Sequence, residues 1–415
     1  MNDLLQIPLG LADVRVLETR QARSGEWVIT LESTLDHAVC RCCGREIHDA
    51  YGYDRPIRLR HLPILDQEVY LELRPRRFRC RYCDDHPTTT QRLDWYEPNR
   101  PYTRAFERLV LRELINTTLS DVARKQGLSA EAVQGILEHA VAATVDWTQF
   151  TELPTLGIDE IALKKGHRDF VVIVTARAAD GRVRALAVLA ERTQATVQAF
   201  LEAIPVRLQA TVRRVCTDLC EAYAGAVRAA LPQAQLVADR FHVARLYRDG
   251  VDTLRKQELR RLRQALSDAE YAPLKGLLWL LRANRCALDR AQRERLEALF
   301  VRSPALRRAY ELREYLTHIF DTAPDHAAGL QGLADWRHYV EHEAVPGFER
   351  FLGTLAHWHE AIGNYFIARD NSGFVEGLNN RLKVIKRRCY GIFKPEHLFQ
   401  RLFLDLEGYR LYGRT

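Results

Sequence analysis

Three acidic residues in this 415-residue chain are spaced for phosphoryl chemistry. Asp159 stands in GIDE, late in a run that reads as a β-strand, and Asp218 stands in VCTDL, at the end of another. Glu376 falls early in a helical segment, NSGFVEGLNNRLKVIKRR. Strand-end aspartates put rigid oxygen ligands at one edge of a sheet, and a helix-borne glutamate can swing over that edge as a third carboxylate. Two divalent cations about 3.5–4 Å apart require such a set, one aspartate bridging them and the others holding one ion each. Hard carboxylate oxygens favour Mg²⁺ or Mn²⁺ over zinc. Two ions so held would activate water or a 3′-hydroxyl and stabilise the leaving oxygen of an in-line displacement at phosphorus. A lone strand-end aspartate is ordinarily structural, whereas three acids in this order on this pattern point to a site.

Further residues cluster with these acids. Asn379, Asn380 and Lys383 follow Glu376 by three, four and seven residues, so they share its helix face and come within reach of a scissile phosphate. Lys386, Arg387 and Arg388 extend that basic surface. The DRFH segment carries Asp239, a rival metal ligand, and His242, suited to hydrogen-bond a ligand carboxylate or a phosphate.

A second constellation is sulfur-based. Cys40 and Cys43, then Cys80 and Cys83, form two CxxC pairs with 36 residues between them. Thiolates with two residues between them on a tight turn can both face one tetrahedral Zn²⁺, and two such turns complete a closed, structural site. Gly44 suits the first turn, and Cys42 is a spare thiol able to stand in for Cys40 or Cys43. The module would present Arg74, Arg76, Arg77, Arg79 and Arg81 to DNA phosphates. Cys216, Cys220, Cys286 and Cys389 are scattered and read as small core residues. Downstream, LSDVARKQGLSAEAVQGIL fits a helix-turn-helix. Ala123 is small where two helices touch, Gly127 permits a positive φ, Ser129 is the expected N-cap, and Val133 and Ile136 return to the core. Glu131, Gln134 and Glu138 are the exposed candidates on its second helix; they are an acidic set, with Gln134 the DNA-contacting candidate.

The elements that must position these groups follow from periodicity. Residues 1–100 read as short strands around the zinc site, and 101–150 as helices carrying the helix-turn-helix. Over 151–245, TLGIDEIAL, FVVIVTARA and VRALAVLAE are strands, the last two joined at Asp180-Gly181. A helix is expected from Thr196 to Leu208, then a strand at RRVCTDL, a helix at EAYAGAVRAAL and a strand at AQLVADRFH. Three antiparallel strands followed by two strands separated by helices is the order of an RNase H-like α/β core. Residues 246–366 read as an all-helical insertion, and 367–415 as the rest of the core, with its final helix carrying the third carboxylate. Hydrophobic residues make up 47% and charged residues 28%, with a formal charge of +7, which suits a soluble protein and permits a polyanionic partner. No run of about 18 apolar residues occurs and the start lacks a leader pattern, so the expectation is a cytoplasmic, nucleoid-associated bacterial protein.

The blocks LGIDEIALKKGHRDFVVIV, VCTDLCEAYAGAVRAALPQAQLVADRFHV and NSGFVEGLNNRLKVIKRRCYGIF resemble the DDE transposases of the ISL-three insertion-sequence family. The CxxC pairs resemble that family's zinc finger and the segment after them its helix-turn-helix, so the likeness covers nearly the whole chain. It implies cleavage and strand transfer at the terminal inverted repeats of a mobile element. Double-stranded repeat and target DNA would be the partners, and a homodimer or larger assembly would act on them. It maps the catalytic triad onto Asp159, Asp218 and Glu376, with Asp239 and His242 as signature neighbours. Trp279 and Trp358 in the insertion are candidates to stack on an unpaired base, although Trp279, in LKGLLWLL, reads first as core. The alternatives are a DNA-binding regulator with an idle core, or a related nuclease that cuts without joining. A zinc hydrolase is disfavoured by the absence of HExxH.

Overall fold

The computed structural model describes residues 8–164, 168–178, 181–369, 373–388 and 394–413. The chain divides into two units, one of Met1–Val141 with Phe403–Thr415 and one of Ala142–Leu402.

In the first unit, alternating apolar residues build a four-stranded sheet. β1 (Val14–Gln21) and β2 (Trp27–Ser33) begin it. The hairpin β3 (Ala38–Val39) and β4 (Glu46–Ile47) and the strand β5 (Asp49–Tyr53) intervene. β6 (Ile57–Ile64) and β7 (Gln67–Leu73) complete the large sheet in the order β1-β2-β7-β6. Ile29, Leu31, Leu59, Val69 and Leu71 form its buried face beneath Leu93, Trp95 and Tyr96. A smaller sheet pairs β5 with β8 (Arg76–Arg79) and β8 with β9 (Thr88–Thr90).

Three helices follow: α1 (Arg104–Leu114), α2 (Leu119–Gln126) and α3 (Ala130–Ala140). Thr103, Thr118 and Ser129 each cap one, their hydroxyls accepting an otherwise orphan first-turn amide. Gly127 ends α2 in the left-handed region at φ 61°. A side chain there would also meet the Glu68 carboxylate, but that flexible end can move aside, so the backbone is what selects glycine. Val122, Ala123, Val133, Ile136 and Leu137 form the shared core, as a helix-turn-helix requires.

The second unit centres on a five-stranded sheet of β10 (Thr155–Lys164), β11 (Arg168–Arg177), β12 (Val183–Leu189), β13 (Arg214–Thr217) and β14 (Gln235–Ala238). Its order is β12-β11-β10-β13-β14. The first three strands pair antiparallel, and β10, β13 and β14 run parallel. Gly181, at φ 80°, lies in the β11–β12 connection; Asp180 lies outside the described residues. The helix expected from Thr196 to Leu208 is broken. α4 (Gln194–Glu202) stops short and a single turn, α5 (Val206–Gln209), follows Pro205. Proline lacks the amide to continue a helix and pushes the preceding residue, Ile204, out of helical geometry. α6 (Glu221–Ala230) lies between β13 and β14 in sequence and packs against both and against α4.

A run of helices comes next: α7 (Arg240–Ala265), α8 (Asp268–Tyr271), α9 (Leu278–Arg282), α10 (Arg290–Arg302), α11 (Pro304–Thr322), α12 (His326–His342), α13 (Glu349–His357), α14 (His359–Gly363) and α15 (Tyr365–Ala368). Their core is aromatic. Trp336 is fully buried, meets Phe348 and Phe351 edge-on, and donates its indole N–H to the Leu312 carbonyl at 2.9 Å. α16 (Gly373–Arg388) returns to pack against β10, and α17 (Pro395–Tyr412) ends the chain.

Two glycines give opposite expectations. At Gly250, inside α7, a Cβ would collide with the Gly347 carbonyl oxygen, and Gly347 itself sits at φ 97°. Gly250→Ala is expected to cost about 1–3 kcal/mol, the usual penalty of overpacking against something that cannot yield. Gly353, exposed on α13, has nothing within 4 Å of a Cβ. Gly353→Ala should be neutral or stabilise by up to about 1 kcal/mol. Thermal unfolding of both variants checks the pair.

Candidate functional site

Parallel pairing brings three aspartates abreast. Ile158, in the middle of β10, pairs with Thr217, and Thr217 with Ala238, the last residues of β13 and β14. β10 runs on to Lys164, paired with β11, so Asp159 stands inside its strand and not late in it as the sequence suggested. One residue further along lie Asp159, still within β10, and Asp218 and Asp239, just past β13 and β14, and the Asp239 amide still bonds the Thr217 carbonyl at 2.8 Å. Asp159 and Asp218 are half-buried. Burial pushes the Asp218 carboxyl up to about 6; His242 pulls it down, and Asp159 and Glu160 add to the rise. So much like charge beside one half-buried carboxyl is a setting that a divalent cation relieves.

Asp239 has a different task. It is buried and caps α7, its Oδ1 accepting from the Phe241 amide at 2.9 Å while Oδ2 lies 3.7 Å from His242 Nε2. His242 is thereby held in the first turn of α7, where it interacts electrostatically with Asp218.

Glu376 lies on α16, the helix that packs against β10. Its side chain, with those of Asn379, Lys386 and Arg388, lies outside the described residues. On the same helix Leu382 and Ile385 are buried, while Asn380, Lys383 and Arg387 are exposed at three- and four-residue spacing.

Sequence reasoning missed the group that shapes this edge. Glu160 receives the Arg192 guanidinium at 3.1 and 3.3 Å and the phenol of fully buried Tyr223 at 3.2 Å. Burial and the adjoining carboxylates, Glu160 and Asp218, raise the Tyr223 hydroxyl far above its ordinary range, so it stays a donor. The partners stand 32 and 63 residues from Glu160, and no local spacing announces them.

The four cysteines come together as the CxxC pairs suggest. Ligand sulfurs of Cys40, Cys43, Cys80 and Cys83 all lie within 4.8 Å of one another. Cys43–Cys80 and Cys80–Cys83 are 3.7 and 3.6 Å apart. Zinc–sulfur bonds of about 2.3 Å in a tetrahedron imply edges of roughly 3.8 Å, so the sulfurs fit one structural zinc. Each knuckle aims an amide at its first sulfur: Cys42 to Cys40 and Tyr82 to Cys80, both at 3.4 Å. The backbone amides of Cys43 and Cys42 pull the Cys40 thiol down to about 6, favouring the thiolate a metal needs. Gly44 makes its turn at φ 71°. Cys42 is exposed and outside the four-sulfur group.

Other sequence candidates scatter in role. Arg76 is tied to Glu32 at 3.1 Å, Arg77 donates to the Thr88 hydroxyl, and Arg81 meets Asp49 at 3.0 Å. Arg74 and Arg79 lie over Tyr53 and Tyr51. Gln134 donates its amide to Glu138 at 2.9 Å on α3. Trp279 is 71% exposed, with Arg282 over its ring, so the core reading fails for it; Trp358 is buried. Cys216 is buried and Cys220 partly so, but Cys286 is exposed, and Cys389 lies outside the described residues.

Comparison with known proteins returns the same three parts. A family model described as a transposase matches residues 156–402. One for the helix-turn-helix domain of transposase family ISL3 matches 91–141, and one for the zinc finger of transposase IS204/IS1001/IS1096/IS1165 matches 36–83. The chain is 30% identical to the transposase for insertion sequence element IS1001 of Bordetella parapertussis, over 92% of this chain and 91% of that protein. It is 26% identical to the transposase for insertion sequence element IS1557 of Mycobacterium tuberculosis, over 90% and 87%.

Zinc analysis separates the five N-terminal thiols. Cys80→Ser should lose the metal and the folded small sheet, whereas Cys42→Ser should retain one zinc per chain, both read by elemental analysis with circular dichroism.

Proposed function

Because the chain belongs to the ISL3 family of DDE transposases, we propose that it binds the terminal inverted repeats of its element as double-stranded DNA and carries out both strand cleavage and strand transfer there. Asp159, Asp218 and Glu376 form the catalytic set in this reading. The observation that carries it is the juxtaposition of Asp159, midway along β10, with Asp218, just past the end of the parallel strand β13, with α16 packed on β10. The core is read as RNase H-like, its parts at 151–245 and 367–415 interrupted by the helical insertion 246–366. Residues 1–100 form the zinc-binding module and 101–150 the helix-turn-helix region.

Two Mg²⁺ or Mn²⁺ ions held by the three carboxylates would supply a Lewis acid for the attacking and leaving oxygens. The protein's own residues do the rest. Asp159 presents its oxygens from inside β10 and Asp218 from the end of β13, both on paired backbone, so little reorganisation is needed on binding. Glu160, locked by Arg192 and Tyr223, adds negative charge without competing as a mobile ligand. His242 faces Asp218 and can hold its carboxylate or a substrate phosphate. Asn380, Lys383 and Arg387, with Asn379, Lys386 and Arg388, offer donors to the DNA backbone along α16. Arg74, Arg77 and Arg79 do the same from the zinc module; Arg76, tied to Glu32, and Arg81, tied to Asp49, contribute less. Asp239 serves as a helix cap and positions His242.

A homodimer or larger assembly on DNA, cutting two ends together, completes the reading, with action in the cytoplasm on nucleoid DNA. Among the described residues no helix is long and apolar enough to cross a membrane.

The direct test incubates the protein with labelled DNA carrying its element's ends, with Mg²⁺ or Mn²⁺, beside Glu376→Gln. Cleavage at the end should fall roughly a hundred- to a thousandfold in the variant, the scale for removing one stabiliser of transition-state charge, while DNA binding persists. A pre-cut 3′-hydroxyl end should yield joined product, which a plain nuclease would not make. If wild type binds paired ends yet never cuts, the regulator with an idle core is the better account.

A pH dependence follows from Asp218. A carboxyl raised to about 6 holds its proton below that pH, and metal must displace it. The metal concentration for half-maximal cleavage should therefore be flat above pH 7 and rise about tenfold per unit below 6. A curve that stays flat to pH 4.5 would contradict this.

A further inference from the structure

The zinc module carries a surface that duplex DNA does not explain. Tyr51, Tyr53 and Tyr82 are 49, 51 and 62% exposed, each with an arginine laid over its ring. Arg79 is 4.2 Å from the Tyr51 centroid, Arg74 5.7 Å from that of Tyr53, and Arg45 5.1 Å from that of Tyr82. A break in the β5–β8 register between Ala50 and Gly52, with Gly52 at φ 114°, makes Tyr51 the extra residue of a bulge and turns it outward. Between Arg79 and Tyr82 lies an open hollow of about 340 Å³, lined also by His48, Asp49 and Arg81. Its volume falls at the small end of pockets that hold a small molecule.

Arginine alone would suffice for phosphates. Exposed rings interleaved with it suit a different ligand, because a duplex hides its base faces and an unpaired strand offers them. Around these rings Arg45, Arg74, Arg77 and Arg79 form no ion pair among the described residues, while Arg81 answers Asp49 and Glu46 is met by His48. The surface is therefore basic as well as aromatic. We propose that this Tyr–Arg face is a single-stranded DNA platform, stacking unpaired bases on Tyr51, Tyr53 and Tyr82 while the arginines hold the phosphates. One extruded nucleotide fits the hollow beside Arg79 and Tyr82. The inference rests on the DNA-processing reading above and gives the module a task at frayed or cut ends, where strands separate.

The test uses the full chain and a short fluorescent oligothymidylate, with a blunt duplex in parallel. Tyr51→Ala and Tyr82→Ala should each weaken oligothymidylate binding about five- to a hundredfold, the range for losing one stacked base. Duplex affinity and zinc content should stay as in wild type. Tyr51→Phe keeps the ring and should keep the binding. Unchanged oligothymidylate affinity in the alanine variants overturns the platform, and so does an equal loss on the duplex. A wild-type protein that shows the tyrosine-dependent preference but never cleaves would sink the strand-cleavage reading and leave the platform standing.

Discussion

Like charges held side by side are the constraint on which the second unit turns. Neighbouring strands lie about 4.8 Å apart, and two carboxylates at that separation repel by roughly 3 kcal/mol at an effective dielectric of about 20. No local preference would place Asp159 and Asp218 there; the parallel pairing of β10 with β13 does, backed by the buried residues Leu156, Ile158, Val172, Val174 and Val215. Part of the cost is offset nearby. α7 begins at the cap residue Asp239 and α6 just beyond Asp218, so two helix N-termini, each with its partial positive charge, open beside the row. His242 adds a cationic neighbour when protonated. Burial first, and then the nearby Asp159 and Glu160 carboxylates, leave the Asp218 carboxyl raised all the same.

This explains why the helical run enters the chain where it does. α7 starts directly at the end of β14, so its first turn delivers both the Asp239 cap and His242 to the acidic edge. The rest of the run packs around buried aromatics that are continuous with the core of the sheet, Asn364 reaching back to the Leu236 carbonyl of β14 at 2.9 Å. α16 then has only to return to β10.

Much of this was legible in residue order because its causes are local. Alternation announced β2 and β7, β-branched runs announced β10 and β11, and Ser129 and Gly127 marked helix ends. The CxxC pairs announced their cluster, since a knuckle is formed within four residues. What escaped depends on distant partners. Glu160 looks like any strand residue until Arg192 and Tyr223 arrive from elsewhere, and Arg76 looks like its neighbours until Glu32 pairs with it. Trp279 misled for a related reason. An apolar run of leucines suggests burial all round, but α9 is five residues long and buries Leu280 and Leu281, leaving the indole outside. Pro205 should have been read, because its effect on a helix is local.

The zinc module shows the opposite balance, with metal standing where apolar mass is missing. Around the cysteines and the small sheet the buried cluster consists of Ala38, Cys40, Ile47, Phe78 and Cys80, far less than such a sheet needs to hold itself, whereas the four-stranded sheet beside it has an apolar core of its own. Two of those five are the cysteines whose sulfurs face each other's knuckles, so the metal site is also the hydrophobic centre. A module cored this way leaves its outer strands free of packing duty. β5 is exposed along nearly its whole length, and Tyr51 and Tyr53 can face solvent because Phe78, Ile47, Cys40 and Cys80 supply the interior. Binding zinc thus does more than hold the fold. It leaves exposed strand surface that a sheet of the same size with an ordinary apolar core would have had to bury.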